Sequence, residues 1–231
     1  MQKGALILIY ITGDTHIPTD IQKLNTKRFP EQKSLSEKDF VIICGDFGGV
    51  WDNSKEDYYW RKWLSDKSFT TLFVDGNHEN FDLLNDFPVV DFFGAKAHKI
   101  SNKIFHLMRG QIYEIDGNKI FTFGGASSHD KEHRKEGKNW WKEELPSDEE
   151  FRQAIEMLEH HNWAVDYVIT HCAPTSIQNQ IASAYEENSL TDFLENIKNQ
   201  LEYKRWFFGH YHQDKSIDEK HIALFDKITR L

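Results

Sequence analysis

Cysteine is scarce in this chain. Cys44 and Cys172 are the only two in 231 residues, which excludes the disulfide framework of a small secreted domain. As free thiols they suit a reducing compartment, and a cytoplasmic location is the expectation. Long apolar runs are missing as well. Crossing a bilayer takes about 20 consecutive apolar residues, so no membrane partner is expected. The stretch from Met1 to Thr12 is apolar, but it has no small-residue cleavage site and runs directly into Asp14. It reads as a first strand rather than a signal peptide. There is no basic tract either. Lys and Arg total 28 against 37 Asp and Glu, a net charge of −9, the reverse of a protein that tracks a nucleic-acid backbone. An extended nucleic-acid surface is therefore not expected, although an enzyme acting on nucleotide ends is not excluded. Internal repeats, Gly/Ser linkers and low-complexity blocks are also absent. With 39% hydrophobic residues, disorder is excluded, and one domain over residues 1–231 is expected.

What the chain does contain is five short polar clusters, each following an apolar run with strand character. Ala5–Thr12 leads to Gly13-Asp14-Thr15-His16, and Phe40–Cys44 leads to Gly45-Asp46. Thr70–Val74 precedes Gly76-Asn77-His78-Glu79, Tyr167–Ile169 precedes Thr170-His171, and Arg205–Phe208 precedes Gly209-His210-Tyr211-His212. In an open α/β sheet, functional groups gather where strands deliver their carboxyl ends. Five such ends would bring two Asp, one Asn and five His together, which points to a metal site, and one for two ions.

The residue types support this. Asp14 and His16 stand two apart and point the same way from an extended strand end. His210 and His212 repeat that spacing. Asp46 has two oxygens with which to bridge two ions, Asn77 offers a neutral amide oxygen and His171 a further imidazole. Nitrogen and oxygen donors without thiolate spacing favour Mn, Fe, Zn, Ni or Co over a cysteine-type structural zinc. Two divalent ions are expected, with Mn²⁺ the leading candidate and Mg²⁺ also compatible. Glycine precedes Asp14, Asp46, Asn77 and His210, allowing a sharp turn and close backbone approach at each strand end.

In this order the motifs Asp-x-His, Gly-Asp, Gly-Asn-His-Glu, His and Gly-His-x-His resemble the calcineurin-like metallophosphoesterase superfamily, and the likeness runs from Gly13 to His212. The resemblance implies an α/β fold, a four-layer α/β/β/α sandwich of two mixed sheets, with a dinuclear site at the strand carboxyl ends. It implies that Asp14, His16 and His212 hold one ion, that Asn77, His171 and His210 hold the other, and that Asp46 bridges them. It implies that His78 is no ligand but acts near the leaving group. The implied reaction is hydrolysis of a phosphate ester by a hydroxide bridging the two metals. Glu79 and Asp52 are alternative orienters of the His78 ring.

One departure narrows the subfamily. The protein Ser/Thr phosphatase branch reads Gly-Asp-x-x-Asp-Arg-Gly, whereas this chain reads Gly45-Asp46-Phe47-Gly48-Gly49-Val50. The missing Asp and Arg disfavour a phosphoprotein phosphatase. The chain looks closer to small bacterial and phage-type members, many of which cleave phosphodiesters. A phosphodiester, with a nucleotide as one candidate, is the expected substrate. A phosphomonoesterase, a metal-dependent nuclease and a non-catalytic scaffold are the alternatives.

The rest of the chain supplies framework and a variable segment. Gln111–Ile115 and Lys119–Phe123 alternate around Asp116-Gly117-Asn118, a hairpin signal that suggests a second sheet packed on the first. Capping boxes are expected at Ser54/Asp57 and Ser147/Glu150. Tyr59, Trp60, Trp63 and Leu64 are expected to share one helix face, as are Phe151, Ile155 and Leu158, and then Leu190, Phe193, Leu194, Ile197 and Leu201. Residues 124–146 have no period and read as a lid or insertion. There Arg134 could clamp a phosphate, and Trp140 or Trp141 could stack on a base. His129 and His133 read as lid residues, Asp20 as a turn carboxylate, Asp75 as a residue behind the site, and His98 and His106 as isolated.

Overall fold

The computed structural model describes residues 6–231; Ala5, the first residue of the expected strand, lies outside them. Six strands build most of the first sheet: β1 (Ile9–Thr12), β2 (Phe40–Ile43), β3 (Thr70–Phe73), β4 (Val89–Phe92), β5 (Ala95–Ser101) and β6 (Ile104–Leu107). The second sheet holds β7 (Gln111–Ile115), β8 (Asn118–Phe123), β9 (Tyr167–Thr170), β10 (Arg205–Phe208), β11 (Lys215–Ser216) and β12 (His221–Ala223). A last strand, β13 (Thr229–Arg230), returns to the first sheet. The orders are β13-β1-β2-β3-β6-β5-β4 and β11-β12-β10-β9-β8-β7. In both sheets a parallel centre is flanked by antiparallel edges.

Strand parity creates the layers. Side chains alternate across a strand, so Phe40 and Ile42 of β2 face the other sheet while Val41 and Ile43 face outward. The inner set meets Tyr113, Ile115, Ile120, Ile169 and Phe207 of the second sheet. The outer face of the first sheet is covered by helix α1 (Lys55–Ser65) and by Ile21, Leu24 and Phe29. A short helix, α2 (Phe81–Asn85), adds Leu84 to this cluster. The outer face of the second sheet is covered by α3 (Asp148–His160), α4 (Thr175–Ile181) and α5 (Ser189–Lys198), through Leu158, Ile177, Leu194 and Ile197. The result is the expected four-layer α/β/β/α sandwich of two mixed sheets.

Local signals translate with some corrections. The hairpin forms with Asp116 and Gly117 both at positive φ (51° and 77°), the two-residue turn whose twist suits paired strands. Ser147 and Glu150 form the expected reciprocal capping box. Ser54 does cap α1, but Asp57 does not return the bond. Its carboxylate instead takes the backbone N–H groups of Trp51, Asp52 and Asn53 at 2.8–3.0 Å, because that loop leaves three donors aimed at one point. The expected α1 face is also incomplete. Leu64 is buried but Tyr59 is 58% exposed, since at 3.6 residues per turn it stands about 140° around the helix from Leu64. Between β1 and β2 the chain forms two 3-10 turns, Ile21–Leu24 and Pro30–Ser34.

Candidate metal centre

β1, β2 and β3 are mutually parallel, as are β9 and β10, so all five polar clusters emerge at carboxyl ends. Asp14, Asp46, Asn77 and His171 are buried, His16, His78 and His210 are half-buried, and His212 is exposed. Three groups of side chains bring donor atoms close enough to share an ion: Asp14 with His16 and His212, His16 with Asp46 and His78, and Asp14 with Asp46 and His171.

Asp46 stands at the middle. Its Oδ2 lies 3.1 Å from His16 Nε2, and its Oδ1 lies 3.3 Å from His171 Nε2. The same Oδ1 accepts the His78 backbone N–H at 2.8 Å. To one side, Asp14 Oδ2 lies 3.2 Å from His212 Nε2. To the other, Asn77 Oδ1 lies 3.3 Å from His171 Nε2, and the His210 ring centre is 4.9 Å from that of His171. His16, Asp46, His210 and His212 all adopt positive φ, between 32° and 66°. Non-glycine residues enter this region at a cost, and such strain concentrates at functional sites.

Gly76 and Gly209 act through close approach rather than by turning. A Cβ on Gly76 would lie 2.0 Å from Asp46 Oδ1, and one on Gly209 would lie 2.0 Å from Asp14 Oδ1 and 2.6 Å from the Cys44 carbonyl oxygen. Neither has a positive φ. Their missing side chains make room for the carboxylates.

The electrostatics follow from two buried carboxylates among imidazoles. Burial opposes a charged His171, but Asp46, Asp14 and the bond to the Cys44 carbonyl outweigh it and push the imidazole up to about 10. His16 is likewise raised despite burial, by Asp46, Asp14 and Asp20. Burial holds His210 well below its ordinary value, helped by the charge of His171. The carboxylates thus draw positive charge into the hollow between the strand ends. The donors are oxygen and imidazole nitrogen, a set suited to first-row divalent ions, and the residues fit a pair of such ions.

Several partners of the site could not be read from the sequence. Asp20 Oδ2 lies 2.9 Å from His16 Nδ1 and aims Nε2 at Asp46, so it is more than a turn residue. The Cys44 carbonyl does the same for His171 Nδ1 at 2.8 Å. Metal-binding imidazoles commonly have their second nitrogen fixed in this way. Lys23 is buried, and its ammonium donates to the Asp14 and Phe225 carbonyl oxygens at 2.6 and 2.5 Å. Its spacing from Asp14 matches no motif, so nothing in the chain marks it out.

The remaining candidates separate. Neither proposed orienter bonds to the His78 ring. Glu79 Oε1 accepts the Phe47 N–H at 2.7 Å, and Asp52 caps Ser54 N. Burial, with the charges of His16, Arg134 and His171, lowers the His78 imidazole against the pull of Asp46. Arg134 is ion-paired with Asp130 at 2.7 Å. Trp140 is half-buried, while Trp141 is buried and donates to Asp82 Oδ2 at 2.8 Å, which ties the 124–146 segment to α2. His129 and His133 are exposed and belong to none of the three groups. His98 and His106 are not isolated: their Nδ1 atoms lie 3.0 Å apart, and His106 Nε2 is 3.0 Å from Asp75 Oδ1.

The family model for calcineurin-like phosphoesterase matches residues 7–214. The chain belongs to this family, whose members are metal-dependent phosphoesterases. No curated protein matches it. No helix among the described residues is long and apolar enough to cross a membrane.

Proposed function

We propose that this protein is a dinuclear phosphodiesterase. In this reading Asp14, His16 and His212 hold one ion, Asn77, His171 and His210 hold the second, and Asp46 bridges. The observation that carries it is the divided aim of Asp46, with Oδ2 on His16 and Oδ1 on His171. A carboxylate so placed can serve two cations at once.

When bound, two divalent ions supply Lewis acidity for the phosphoryl oxygens and a water of lowered pKa as nucleophile. The chain's own residues do the rest. Asp20 and the Cys44 carbonyl hold two imidazoles in orientation. His78 is anchored by its backbone N–H to Asp46 and presents its ring 5.4 Å from that of His16. From there it delivers a proton to the leaving oxygen, and the negative charge of an arriving phosphate favours its protonated form. Arg134, near enough to influence His78, contributes positive charge at the entrance, and half-buried Trp140 is the candidate surface for a nucleotide base. Among first-row ions Mn²⁺ is favoured by the mixed carboxylate, amide and imidazole set. The buried free thiols of Cys44 and Cys172 favour a cytoplasmic setting. We read residues 1–231 as one domain with 124–146 as a lid.

The test is hydrolysis of bis-p-nitrophenyl phosphate and p-nitrophenyl phosphate by metal-stripped protein, before and after Mn²⁺, with Asp46→Ala in parallel. Diester cleavage restored by metal and absent from the variant supports the reading. Cleavage of the monoester alone moves it to a phosphomonoesterase.

A further inference from the structure

An amide has nearly the same shape either way round, yet only one orientation of Asn77 shows an oxygen to a cation. Here Asn77 Nδ2 donates to Ser128 Oγ at 3.2 Å, and Oδ1 faces His171. Ser128 Oγ accepts from Asn77 at that place because Glu144 holds the Ser128 backbone: the Ser128 N–H donates to Glu144 Oε2 at 3.1 Å.

Glu144 is 2% exposed, and its second oxygen, Oε1, is buried without a partner among the described residues. Burying a carboxyl this way is unfavourable, so packing does not account for it. Its turn is nonetheless held firmly. The Glu144 carbonyl accepts the Ala126 N–H at 3.1 Å, and Arg109 Nη2 donates to the Glu143 carbonyl at 2.7 Å.

We propose that Glu144 and Ser128 form a positioning relay that fixes the amide oxygen of Asn77 toward the second metal ion. This rests on the reading of Asn77 as a ligand. It makes the 124–146 segment a determinant of metal binding at one of two positions, through residues that touch neither ion.

The experiment is a Mn²⁺ titration of the metal-stripped full-length protein, followed by calorimetry and by the electron paramagnetic resonance signature of a coupled pair. Asn77→Ala, Ser128→Ala, Glu144→Leu and Glu144→Gln are compared with the wild type, and far-ultraviolet circular dichroism verifies the fold of each. Ser128→Ala and Glu144→Leu are expected to weaken one of the two sites by about 10-fold or more, the usual effect of removing an outer partner, and to leave the other unchanged. Glu144→Gln, whose amide oxygen can still accept from Ser128, is expected to keep both sites. Should Glu144→Leu not fold, Ser128→Ala alone decides. Full binding by Ser128→Ala and Glu144→Leu, with one site lost in Asn77→Ala, overturns the relay and leaves the ligand reading intact. Two full sites in Asn77→Ala overturn the ligand reading and the relay with it. Loss of the site in Glu144→Gln as in Glu144→Leu overturns the acceptor role assigned to Glu144.

Discussion

Asp75 and Arg109 form a buried ion pair two residues before Asn77, with Nη2 and Nε of the arginine donating to the same oxygen, Oδ2, at 2.6 and 2.9 Å. The other oxygen of Asp75 faces His106 Nε2, so the carboxylate is fully occupied. Arg109 also reaches Glu150 at 3.3 Å, joining the first sheet to the start of α3. Removing one partner from such a pair strands the other charge away from water. Arg109→Ala is expected to lower stability by about 3–5 kcal/mol in urea denaturation of the metal-free protein. A loss below about 1 kcal/mol, the range of surface pairs, would show that Asp75 finds water when Arg109 is gone.

The same network makes stability depend on pH. Burial, reinforced by the neighbouring His106, pushes His98 down to about 4. An unfolded histidine takes up its proton near pH 6.5, so below that value the unfolded chain binds a proton that the fold refuses. Stability therefore falls as pH drops from about 6.5 toward 4. Burial would raise Asp75, but Arg109 and His106 outweigh it and hold the carboxyl well below the usual range. Its stabilisation is present above about 3.9 and is lost as pH falls further. His98→Asn is expected to flatten the upper part of the profile only, measured as thermal midpoints at a series of pH values. An unchanged slope between pH 6.5 and 4 would show that other histidines control it.

Gly209 tests the close approach of backbone to carboxylate. Its missing Cβ would stand 2.0 Å from Asp14 Oδ1. Gly209→Ala is expected to displace that carboxylate, to weaken metal binding with Asp14 and to cost roughly 1–3 kcal/mol of stability, as overpacking does. Metal content by mass spectrometry and a denaturation curve report the two effects. Wild-type metal content would show that the strand end yields instead.

For His78, replacement by alanine is expected to keep both metals and to slow turnover by about 10²–10⁴-fold, the usual contribution of a positioned acid. The loss should concentrate on poor leaving groups, since p-nitrophenolate needs little protonation. Normal turnover of an alkyl phosphate ester by the variant would remove His78 from the role of acid.

Much of this architecture is legible in the chain because its signals are local. Two-residue alternation marks β7 and β8, Asp116-Gly117 marks their turn, and Ser147 with Glu150 marks the start of α3. The clusters that converge could be named in advance because each ends a strand, and parallel strands must deliver their ends to one side. The failures are equally physical. Ser54 and Asp57 have the spacing of a capping box, but Asp57 found three better donors in the preceding loop. Tyr59 has i,i+4 spacing to Trp63, but the buried side of α1 runs through Asp57 and Leu64 and leaves it facing outward.

What the sequence determined by itself is therefore the set of groups that meet, together with the family to which they belong. What only the tertiary structure decided is how each group is aimed. Asp20 on His16, Arg109 on Asp75, and Glu144 behind Ser128 and Asn77 are choices among many Asp, Glu and Arg residues of similar local setting. The last of these joins positions 16 and then 51 residues apart. Local patterning sets backbone shape over a few residues. Which distant side chain satisfies a buried polar atom is settled only when the layers close and water is excluded.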